Sequence, residues 1–124
     1  MSEDTNDKIV GILAYLTLIG FIIAIILNND KKGEEKAFGA FHLRQSLGLI
    51  IASIGLYIAY AIVATILLAI GAIFSFLVSL IYITFVLALF ALIIIGIINA
   101  VNGEKKELPL IGPYASKMLK NTFE

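Results

Sequence analysis

The stretch FHLRQSLGL, Phe41 to Leu49, puts the chain's only histidine, His42, two residues before its only arginine, Arg44, with Gln45 next. Histidine is the commonest general base, and its ring, the guanidinium and the carboxamide all form directed hydrogen bonds. From Gln45 to Gly103, 59 consecutive residues contain no Asp, Glu, Lys, Arg or His, and two further carboxamides, Asn99 and Asn102, close that run. His42 and Gln45 stand at i, i+3, as do Asn99 and Asn102, so each pair occupies one side of a helix. If the run crosses a membrane twice, the four side chains, with Arg44 beside them, arrive at one depth. Two roles fit such a cluster. It is a hydrogen-bonded entrance at the cytoplasmic mouth that receives a partner or substrate segment, or it is a boundary at which His42 and Gln45 satisfy loop backbone and lipid headgroups while Asn102-Gly103 stops a helix.

Catalysis is poorly served by these residue types. Covalent or acid-base chemistry needs a nucleophile with its base, or paired carboxylates. The chain has no cysteine, no acidic residue inside the apolar run and a single histidine at its border. No two-histidine metal motif, glycine-rich phosphate loop or acyl-transfer elbow is present. The sequence therefore assigns no catalytic, cofactor or metal-binding residue and points away from an enzyme. Ion-coupled transport leaves ionisable groups at membrane depth, and here there are none, so a conducting path would need several copies.

The elements that position the cluster are helices in lipid. The chain of 124 residues is 60% hydrophobic and 15% charged, against roughly 45–50% and about 25% in soluble domains. A single helical membrane domain over residues 1–124 follows. Its nine basic and nine acidic residues cancel, and no block of one sign suggests a nucleic-acid partner. The leader MSEDTNDK is acidic, the wrong sign for a secretory signal, so the first apolar segment is expected to stay as an anchor.

Three transmembrane helices are expected. Ile9–Leu27 is 19 residues without a charge, about 28 Å as helix against a hydrocarbon core of about 30 Å. The loop NNDKKGEEKAFGAF follows. The long run, roughly 88 Å as helix, fits two crossings, about 44–70 and 74–102, broken at IGAIFS, where Gly71 and Ser75 favour a turn. Lys31, Lys32, Lys36 and Arg44 in the loop and Lys105, Lys106, Lys117 and Lys120 in the tail want the same, cytoplasmic side. That arrangement places the N-terminus outside and the C-terminus in the cytoplasm of a prokaryotic plasma membrane. In the tail, Pro113 after Gly112 predicts a short interfacial helix to about Asn121, with Tyr114 and Met118 on one side and Lys117 and Lys120 free to snorkel.

Gly48, Ala52, Gly55 and Ala59 fall at i, i+4, i+7, i+11, a small-residue face that lets another helix backbone approach. Packing within the chain and packing against a second copy both use such a face. Tyr57 and Tyr60, near the middle of the same helix, need neighbours that accept their hydroxyls.

Four stretches in order resemble the family of the twenty-kilodalton subunit of the chloroplast inner-envelope protein translocon and its small bacterial, Tic-twenty-like relatives. They are AYLTLIGFIIAIILN, the basic loop into FHLRQSLGL, INAVNGEKKELPLIG and the tail helix. The most specific pieces are His42, Arg44 and Gln45 and the run Gly103 to Gly112 with Pro109. The resemblance implies an integral membrane protein linked to preprotein import, with no catalytic or cofactor site; plastid members are described with four spanning helices, where the charges here give three. On this reading the chain is an oligomeric subunit or helper in polypeptide translocation or insertion. The other reading is a structural or regulatory module that binds a larger membrane partner and transports nothing. The partners expected are the lipid bilayer and either further copies or that larger protein.

Overall fold

The structure, a computed structural model, describes the backbone of residues 3–16 and 18–124 and the side chains of residues 7–12, 15 and 19–124. Its regular elements are all helices, with no strand among the described residues. The helices are α1 (Glu3–Leu16), α2 (Leu18–Asn29), α3 (Gly33–Ile70), α4 (Ser75–Val101) and α5 (Gly112–Met118).

α3 begins well before the expected position near Arg44, so most of the supposed loop is helix. Only Asp30 to Lys32 separates α2 from α3, and Gly33 takes the positive φ of 63° that this reversal needs. Glu34 and Glu35 then stand in the first turn, where acidic side chains favour the positive helix end. With 38 residues, α3 is about 57 Å long. The expected break at IGAIFS is present: Gly71 ends α3, Ala72–Phe74 form one 3₁₀ turn, and the Phe74 N–H bonds the Gly71 carbonyl at 3.1 Å. Returning along α3, α4 sets Tyr82 against Tyr60 with ring centroids 5.8 Å apart.

α4 stops as Asn102-Gly103 suggests. The Gly103 N–H bonds the Ala100 carbonyl at 3.1 Å, the Glu104 N–H bonds the Asn99 carbonyl at 2.9 Å, and Gly103 has φ of 70°. That is the paired bonding of a Schellman stop, in which glycine avoids the left-handed penalty. α5 opens with Pro113 in its first turn and ends at Met118, three residues short of the expected Asn121.

The first segment departs most from expectation. Residues 9–27 do not form one crossing helix: they are shared between α1 and α2, 14 and 12 residues long, about 21 and 18 Å. Both helices start and end against the same end of the α3/α4 pair. Asp7 in α1 is ion-paired with Lys31, just after α2, at 2.9 Å. Gly11 packs against Ala100 and His42, Tyr15 against Gly96, and Asn28 against Gly39. α1 thus runs up the base of α4 and α2 comes back down. The C-terminus reaches the same place, since Arg44 bonds Glu124 at 3.1 Å. Residues 7 and 124 therefore both lie at one end of the molecule.

Among the described residues two helices are long and apolar enough to cross a membrane, Gly33–Ile70 and Ala72–Val101, and the expected third is not among them. Only 6% of the most apolar window of each is buried. A core helix of a soluble protein would bury that surface, so the exposure supports a membrane-spanning pair. The packed core, with Val10, Tyr15, Phe21, Ala24, Leu43, Leu49 and Leu108, lies entirely in the base. Between Leu49 and Gly96 only Val78 is buried.

Candidate functional site: the hydrogen-bonded base

His42 is wholly buried where α1, α3 and the segment after α4 meet. Its Nε2 lies 2.9 Å from the Glu104 carbonyl, which can only accept, so the ring donates from Nε2. Nδ1 then accepts from the Tyr15 hydroxyl at 2.8 Å. Both nitrogens are satisfied in one neutral tautomer. Phe38, Phe41 and Tyr15 surround the ring edge-to-face, at centroid separations of 4.7, 5.1 and 5.6 Å.

Gln45, one turn further along α3 and also wholly buried, uses every donor it has. Its Nε2 donates to the Gly112 carbonyl at 3.0 Å and to Ser116 Oγ at 2.9 Å, and its Oε1 accepts from the Leu108 N–H at 2.9 Å. A β-carbon at Gly112 would stand 2.7 Å from Oε1, so glycine is what lets this backbone come so close. Asn99 donates to the Lys106 carbonyl at 3.3 Å. Arg44 donates to the Thr122 carbonyl at 3.2 Å as well as to Glu124.

The physical reason for this convergence is the non-helical backbone from Glu104 to Ile111. Peptide groups away from water need partners, and outside a helix those partners must be side chains. Leu108 is buried, and its N–H would be orphaned without Gln45. His42, Gln45, Asn99 and Arg44 therefore tie residues 104–124 to the helices.

The structure thus brings His42, Arg44, Gln45 and Asn99 to one level, each bonded to this chain's own tail or α1 and none to another of the four. Asn102 is exposed and stands apart from them. It lines an open polar hollow of about 760 Å³ between the start of α1, the start of α3 and the end of α4, together with Asp7, Lys32, Glu34, Glu35 and Lys105. Among the described residues no group of three or more His, Cys, Asp or Glu could hold a metal ion.

The small-residue face is divided. Gly48 meets Ala115 of α5, and Ala52 borders an apolar groove of about 360 Å³ between α3 and α5. Gly55 has open space around it, and Ala59 is exposed. Tyr15 is the residue that sequence reasoning missed. It sits 27 positions from His42, and no local pattern pairs the two; the signal available was only that a lone histidine at a greasy boundary needs two partners.

No curated protein and no solved structure matches the chain. A family model does, over residues 6–115, and it is not that of the chloroplast translocon. It takes in FHLRQ and the run Gly103 to Gly112, the very stretches on which the Tic-twenty-like resemblance rested, and so overturns that assignment and the protein-import role it implied. By this match the chain belongs to the MamF/MmsF family, the magnetosome magnetite crystal formation protein family.

Proposed function

We propose that the chain is a structural or regulatory module of the membrane around a growing magnetite crystal, one that binds a larger membrane partner and neither transports nor catalyses. The family match over residues 6–115 carries this reading. The geometry of the base supports it. An entrance for a substrate segment needs polar groups free to receive it, whereas His42 and Gln45 are wholly buried with their donors and acceptors engaged internally.

The base faces the cytoplasm in this proposal. All nine Lys and Arg residues lie outside the 45–103 run. With the start of α1 at the same end as the tail, Lys8 joins the other eight, while the Gly71 turn carries no charge. Excess Lys and Arg marks the cytoplasmic side. A partner has two surfaces to meet: the charged rim around the hollow, and the lipid-facing pair α3 and α4 with the open Gly55.

The test is to delete the gene in a magnetite-forming host and size the crystals by electron microscopy. Altered size or number, restored by the intact chain, is expected; unchanged crystals would remove the reading. Purified chain in planar bilayers should carry no current, and steady conductance would refute the non-transporting half.

A further inference from the structure

The molecule places unequal amounts of protein in the two leaflets. The described part of α1, all of α2, α5 and the tail pack around one end of α3 and α4, while among the described residues the other end holds only α3, α4 and the turn between them. α2 has 12 residues, about 18 Å against a hydrocarbon core of about 30 Å. Its C-terminal end is held at the base by the Asp7–Lys31 ion pair and by Asn28, whose carboxamide donates to the Lys36 carbonyl at 3.2 Å, and near its start Phe21 packs edge-to-face on Phe123 of the tail, with ring centroids 5.9 Å apart. It therefore cannot reach the far leaflet.

Two exposed apolar rows show that this extra mass is in lipid. On α2, Ile19, Ile22 and Ile26 are 72%, 51% and 63% exposed. At α5, Leu110, Tyr114 and Met118, spaced i, i+4, i+8, are 85%, 68% and 80% exposed beside the apolar groove against α3. Neither row is covered by the described residues. Acyl chains of the base-side leaflet are the occupant that the depth and the chemistry select.

A helix is about 10 Å across, so the base-side leaflet must make room for roughly twice the cross-section that the other leaflet does. A flat bilayer accommodates such a wedge poorly, and shallow insertion of apolar helix faces responds to curvature. We infer that the chain partitions into, and when crowded produces, membrane curved with its base on the convex side. The lipid surface it recognises is a curved one, and the recognition needs no headgroup chemistry. This does not depend on the role in crystal formation.

The experiment uses two single-cysteine forms of the otherwise cysteine-free chain, Lys120→Cys at the base and Ala72→Cys at the opposite turn. Each is reconstituted into giant vesicles of phosphatidylcholine and labelled from outside with an impermeant dye, so that only one orientation is seen. A thin membrane tether is then pulled outward. Base-out molecules should be enriched in the tether over a reference lipid dye, with a ratio above one that grows as the tether narrows, and turn-out molecules should be depleted. Equal partition of both orientations at every radius, or enrichment of the turn-out form, overturns the inference. Ile22→Ser with Ile26→Ser in the base-labelled chain should bring the ratio toward one; an unchanged ratio overturns the wedge as its cause.

Discussion

The Tyr15 hydroxyl donates to Nδ1 of His42 at 2.8 Å, while Nε2 of the same ring donates to a carbonyl 62 residues further along the chain. One buried ring thereby joins α1, α3 and the segment after α4. Tyr15→Phe keeps the aromatic packing and removes one donor, leaving Nδ1 buried without a partner. A loss of about 1–3 kcal/mol is expected for such an orphaned group, seen as a lower unfolding midpoint in detergent. Unaltered stability would mean that the hydroxyl is not needed to complete the site.

Gln45→Leu should loosen the tail more than it disturbs the spanning pair. The change keeps the bulk and orphans the buried Leu108 N–H, at a cost of about 1–3 kcal/mol, while the Gly112 carbonyl keeps its helical partner in α5. Faster tryptic cleavage after Lys105, Lys106 and Lys117, with helix content by circular dichroism preserved, is the expected outcome. Cleavage at the wild-type rate would show that something else holds residues 104–124.

Glu124→Gln supplies the contrast. The Arg44–Glu124 pair has its carboxylate side chain 48% exposed, and exposed pairs contribute about 0–1 kcal/mol. Arg44 keeps its bond to the Thr122 carbonyl. A midpoint close to wild type is expected, and a fall as large as that of Gln45→Leu would contradict this ranking.

Three glycine-to-alanine changes should separate by position. A β-carbon at Gly39 would overlap the Asn28 carboxamide, and one at Gly96 would overlap the Tyr15 ring, whereas Gly55 has open space. Overpacking costs about 1–3 kcal/mol, while relief of glycine's helix penalty is worth up to about 1 kcal/mol. Gly39→Ala and Gly96→Ala should destabilise, and Gly55→Ala should be neutral or slightly stabilising. Equal effects at all three positions would show that the α1, α2 packing is not as described.

The topology has its own test, made clean by the absence of cysteine. Glu3→Cys and Lys120→Cys should react with an impermeant maleimide from the same side of the native membrane, and Ala72→Cys from the other. Reaction of Glu3→Cys with the Ala72→Cys side would restore a crossing by the first segment.

The sequence by itself determined that the chain is helical and lives in lipid, that the long run turns near Gly71, that Asn102-Gly103 stops a helix, and that a short proline-initiated helix follows. Each of these is a local property: propensity, charge-free length or a capping pattern acts within a few residues. It also marked His42, Arg44, Gln45 and Asn99, which the structure brings to one level, together with Asn102, which stands apart from them. Only the tertiary structure decided that residues 9–27 double back instead of crossing, because a hydropathy window records how long an apolar stretch is and not where its ends are tied. Asp7 meets Lys31, and Asn28 meets Gly39 and Lys36, across distances that no period encodes. The same holds for the partners of His42 and Gln45. Their side chains announce a need for hydrogen bonds, but the groups that answer, Tyr15, Glu104, Leu108, Gly112 and Ser116, come from segments that meet only once the chain has packed.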